Sequence, residues 1–73
     1  MALYKARITR TQGLSNNQIL EKGMEVQFSY FGHPWDGGAG PKAINDAFLR
    51  VYGIDLKANN VLGPGFVEVE KVG

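Results

Sequence analysis

The chain has 73 residues, no cysteine and 44% hydrophobic residues, with eight Lys or Arg against seven Asp or Glu for a net charge of +1. That length allows one domain, residues 1–73, which buries only about 60% of the surface its unfolded chain exposes, so stability has to come from one compact core, extended if need be by self-association. The composition excludes disulfides and thiolate metal sites, is too apolar for a disordered chain, and provides no basic field of the kind nucleic acids attract.

Residues 3–10 alternate, with Tyr4, Ala6 and Ile8 on one side and Lys5, Arg7 and Thr9 on the other. Period two with one polar face predicts a half-buried strand. Residues 11–18 are polar and turn-rich and predict a loop. Residues 19–30 alternate again. Leu20, Met24, Val26, Phe28 and Tyr30 form the apolar set, Glu25, Gln27 and Ser29 face out, and Gly23 marks a bulge or bend. Residues 31–40, rich in glycine, break regular structure. Pro41 then opens a helix with Ile44, Ala47, Phe48, Val51 and Tyr52 as its apolar stripe and Lys42, Asp46 and Arg50 opposite, spaced to pair. Gly53 suits the left-handed position after the helix, and Ile54 the hydrophobic position of a Schellman end. In the mixed segment 55–65, Leu56, Val61 and Leu62 are anchors and Gly63-Pro64-Gly65 a turn. Residues 66–72 form a last strand, with Val67 and Val69 on one face and Glu68 and Glu70 on the other.

The fold class is therefore α+β: a small β-β-α-β domain whose helix covers one face of a three-stranded sheet. The first strand is basic on its outward side and the other two are acidic, so opposite charges neighbour each other best in strand order 2-1-3. A right-handed crossover through the helix follows; the orientation of the last strand stays open. The N-terminal residues include no apolar run long enough for a signal peptide, and no stretch approaches the about 20 apolar residues of a membrane span. The expectation is a cytoplasmic protein with no membrane partner.

Leu3-Tyr4-Lys5-Ala6, Arg10-Thr11, Glu21-Lys22-Gly23-Met24-Glu25-Val26, Asp46-Ala47-Phe48, Tyr52-Gly53-Ile54-Asp55-Leu56-Lys57 and Val69-Glu70-Lys71-Val72-Gly73 together resemble a family of short uncharacterised proteins from gut bacteria. The resemblance spans nearly the whole chain and implies a stand-alone domain of unknown function. Its motifs are structural, so it implies no activity and no functional residue.

Chemistry has few candidates. Ser15 and Ser29 are the only serines and His33 the only histidine. Ser29, His33 and Asp36 are close in sequence, but Ser29 is expected on the solvent face of a strand and nothing suggests an oxyanion hole. One His and one Asp fall short of a metal site. Gly37-Gly38-Ala39-Gly40-Pro41-Lys42 precedes a helix but has the wrong spacing for a phosphate loop, and Ala43 replaces the required Ser or Thr. No enzyme and no cofactor are expected. Aromatic and basic residues on the first two strands could suggest an RNA-binding sheet with Lys5, Arg7 and Arg10 as contacts, but Tyr4, Phe28 and Tyr30 belong to the face the helix needs.

Candidates for an interaction remain. Trp35 sits in the glycine-rich loop and is either an interface anchor or a lid on the core. Phe31 is the other large residue of that loop, His33 lies between them, and Leu49 falls near Lys42 and Asp46 on the helical wheel, away from the apolar stripe. The preferred expectation is a non-enzymatic binding or protein-interaction module, its partner another protein or a second copy joined through a strand edge, that of the second strand before the third. A nucleic-acid-binding module is the alternative.

Overall fold

The computed structural model describes residues 2–14, 17–35 and 38–73. Its elements in chain order are β1 (Ala2–Ile8), β2 (Gln12–Gly13), β3 (Ile19–Leu20), β4 (Glu25–Tyr30), α1 (Ala39–Tyr52) and β5 (Val67–Lys71). The main sheet runs β4-β1-β5, antiparallel throughout, so the order expected from charge holds and the last strand runs opposite to the first. The register shows the electrostatic logic. Arg7 stands between Glu25 and Glu68, and Lys5 between Gln27 and Glu70. Arg7 Nε donates to Glu25 Oε2 at 3.2 Å. Each opposite-charge pair adds only about 0.2–1 kcal/mol, but any exchange of β1 with an acidic neighbour would set acid against acid.

The second strand is not the continuous run that alternation suggests. At Gly23 φ is +98°, a conformation side-chain-bearing residues rarely adopt. Met24 N–H donates back to the Glu21 carbonyl at 3.1 Å, and Gly23 N–H donates to the Ile8 carbonyl at 3.0 Å. A tight turn therefore divides the run. Its first part, β3, pairs with β2, so the expected loop 11–18 holds a short strand at Gln12–Gly13; Ser15 lies outside the described residues.

The helix begins two residues before Pro41. A proline in the first turn costs nothing there, because the first four N–H groups have no partner within the helix. Gly40, Ile44, Ala47 and Phe48 are buried, and the last three form one cluster with Ala6, Ile8, Val26, Phe28 and Val67. The expected stripe ends there. Val51 lies on the same side but is 56% exposed, because the last turn runs past the buried cluster. Lys42 pairs with Asp46 at 3.1 Å, whereas the expected pairing of Asp46 with Arg50 is not formed. Gly53 closes the helix at φ +70°, its N–H donating to the Leu49 carbonyl at 3.0 Å. This single bond is the simple left-handed ending rather than the Schellman ending, and Ile54 is buried in the core.

The segment after the helix is more ordered than its composition suggests. Asp55 Oδ1 accepts the N–H of Ala58 at 3.1 Å, as an N-cap does. Asn60, at φ +58°, donates its N–H to Lys57 O, and Val61 donates to Leu56 O. Those two bonds, with Leu56 and Val61 both buried, make a Schellman ending on a single turn. Asn45 of α1 holds this turn in place: its Oδ1 accepts the N–H of Leu56 at 2.6 Å and of Lys57 at 3.2 Å, and its Nδ2 donates to Asp55 Oδ1 at 3.0 Å.

These bonds favour the ionised form of Asp55. The Ala58 N–H, then the Asn45 amide, hold its carboxyl below the ordinary 3.8. A depressed folded-state pKa adds stability that is complete above the unfolded value and is lost as pH falls through the folded one. Wild type is therefore expected to melt above Asp55→Asn at neutral pH, with the gap closing as the pH falls below the ordinary 3.8. Paired thermal melts across that range check it, and a gap that stays constant in acid would contradict the assignment.

Candidate interaction site

The chain leaves β4 at Tyr30, and residues 32–35 of the segment that follows are held against the body of the protein. Tyr4 Oη donates to the Gly32 carbonyl at 2.7 Å. Trp35 N–H donates to His33 Nδ1 at 3.3 Å. Pro34 is fully buried against Gly40, where a Cβ on the glycine would overlap the Pro34 carbonyl and stand 2.8 Å from its Cα. Trp35 is part-buried and rests against the core. Phe31 behaves oppositely. It is 82% exposed, the most exposed large apolar residue among those described.

The other interaction candidates separate. His33 is exposed and is engaged within the loop by the Trp35 bond. Leu49 is 47% exposed. It lies nine residues after Gly40, about half a turn round the helix and about 13 Å along it, so it does not share a surface with the loop that docks on Gly40. Tyr52, expected in the buried stripe, is 37% exposed and has a different role. Its ring stacks on Phe48 with centroids 5.8 Å apart, and its hydroxyl accepts the Glu25 N–H at 3.2 Å and donates to the Glu25 carbonyl at 3.3 Å. A tyrosine at the end of an amphipathic helix is legible in sequence; that its hydroxyl reaches a strand edge is not.

The basic residues do not form a continuous charged surface. Arg7 is bonded to Glu25, Lys5 stands beside Glu70, and Arg10 lies past the end of β1 with its guanidinium 5.0 Å over the Phe66 ring. Tyr4 and Phe28 stack on each other at 5.7 Å; Phe28 is buried, and Tyr4 and Tyr30 are part-buried against the core.

The three polar residues considered for nucleophilic chemistry are not all in view. Ser29 is exposed on the outer face, and Asp36 and Gly37 lie outside the described residues. An open groove of about 650 Å³ lies beside the start of the helix, lined by Lys42, Asn45, Asp46 and Lys57 among others. Lys42 is already bonded to Asp46, and Asn45 to Asp55. Among the described residues no group of three or more His, Cys, Asp or Glu could hold a metal ion, and no helix is long and apolar enough to cross a membrane.

No curated protein and no solved structure matches the chain. A family model does, over residues 1–69, and with that match the chain belongs to the family of unknown function DUF6140.

Proposed function

We propose that the chain is a non-enzymatic protein-interaction module, cytoplasmic in a bacterial cell, with Phe31 as its principal contact residue. The exposure of Phe31 on a docked loop carries this reading. A large apolar side chain in water on a mobile loop gains little from binding, because the loop must be ordered first; on a loop already held by Tyr4, Pro34 and Gly40, that entropy cost has largely been met. Aromatic residues presented in this way are common anchors of protein interfaces. The scattered polar groups support the non-enzymatic part of the proposal, and the cysteine-free composition supports a reducing compartment.

The test places a photo-crosslinking amino acid at position 31 and, as a control, at the exposed position 21 in the producing cells. Position 31 is expected to yield a discrete covalent adduct that position 21 does not; no adduct from position 31, or the same products from both, overturns the reading. Phe31→Ser is expected to leave folding stability within about 0.5 kcal/mol of wild type while abolishing the association. A large loss of stability on denaturant titration would show instead that Phe31 serves the fold.

A further inference from the structure

We propose that the partner is a second copy of this chain, joined along the free edge of β4 in antiparallel register, with Gln27 opposite the partner's Ser29 and Phe28 at the two-fold axis. This rests on the reading of the chain as an interaction module and names the occupant.

Backbone alternation supplies the first step. Ile8 exchanges bonds with the β4 side through Met24 O and Gly23 N–H, while Leu3 and Thr9 bond to the β5 side. Even-numbered residues of β1 thus face β4. Their partners Val26, Phe28 and Tyr30 face inward, and Glu25, Gln27 and Ser29 turn their N–H and C=O groups to the free edge.

Charge then separates the two edges of the sheet. Side chains directly opposite in a pair of strands share a face, so a two-fold axis normal to the sheet pairs residues of equal parity. For β5 the central registers set Glu68 opposite Glu70, or Glu70 opposite itself, which repels. The outward row of β4 is Gln27 and Ser29, both uncharged, with Glu25 neutralised by Arg7. No proline or inward charge blunts this edge. Joining β4 to β5 would be head-to-tail and open-ended, whereas β4 on β4 closes.

Tyr52 selects the register. Its hydroxyl occupies both edge groups of Glu25. Centring the pair on Gln27 would require Glu25 to bond Ser29 of the other copy, and that position is taken. Centring it on Phe28 uses only Gln27 and Ser29. It also brings Phe31 of each copy alongside Glu25 and Tyr52 of the other, which gives the exposed ring an occupant.

Sedimentation equilibrium over a concentration series tests this on three full-length chains. Wild type is expected to move toward twice the chain mass as concentration rises. Q27E/S29E places like charges opposite each other across the axis and is expected to weaken association at least tenfold. Q27E/S29K makes the same positions complementary and is expected to restore wild-type affinity or better. Both sites are exposed and Gln27→Glu faces Lys5, so the variants keep the fold, which circular dichroism verifies. A monomeric wild type, a dimer indifferent to both variants, or loss of association in both overturns the proposal. A monomeric wild type whose position-31 adduct has a mass other than two chains sinks self-pairing alone; a monomer without an adduct sinks the module reading with it.

Discussion

Gly40→Ala is expected to destabilise the fold by about 2–3 kcal/mol, although alanine is the better helix former. Propensity alone favours the substitution by up to about 1 kcal/mol. The added methyl, however, lands on the Pro34 backbone, which has no rotamer to give way. Either Ile44 and Phe48 leave their places together with the helix, or the 33–35 segment lifts off it. A 73-residue domain has about 4–11 kcal/mol in all, so the loss is a large share. The urea midpoint should fall, and Trp35 emission should shift to the red as its lid contact opens. Gly38→Ala is the control: no atom lies within 4 Å of the added carbon and φ is −84°. A Gly40→Ala chain as stable as that control would mean that the loop is not docked as described. Because the same loop carries Phe31, the substitution should also reduce crosslinking from position 31.

That contact marks the boundary of what the sequence could tell. Strand order was legible because it depends on period-two patterns and on the signs of Lys5, Arg7, Glu25, Glu68 and Glu70, all visible in one chain. The core side of α1 was legible through Phe48 and no further. A helical wheel shows which residues share a side, but not where the core beneath them ends, so it places Val51 inside. Gly40 carries its role through a side chain it lacks, and composition reads it as part of a flexible connector. The turn at 55–60 did have a signal that polarity obscured: an Asp five residues before an Asn, each followed by a buried apolar residue, which is the spacing of a capped single turn. The site was legible only in part. Phe31 and Trp35 are both large aromatic residues only four positions apart, and which of them the fold hides depends on the Tyr4 hydroxyl and on Pro34 meeting Gly40.

Phe48→Ala is expected to cost about 3–5 kcal/mol, the range for deleting a buried aromatic ring. Phe48 is fully buried at the centre of the helix–sheet contact, and the helix leans chiefly on β4. The wall around it includes β-strand backbone, which collapses poorly into a void, so the cavity cost adds to the lost transfer energy. Against about 4–11 kcal/mol in total, such a chain retains little or no cooperative unfolding. Phe48→Leu keeps most of the volume and should lose less than half as much. The effect should also reach the strand edge. Tyr52 stacks on the Phe48 ring while its hydroxyl holds Glu25, so Phe48→Ala and Tyr52→Phe should be non-additive, with a coupling of at least about 0.5 kcal/mol. Additive losses in that cycle would separate the core from the edge and remove Tyr52 as the group that sets where β4 can pair.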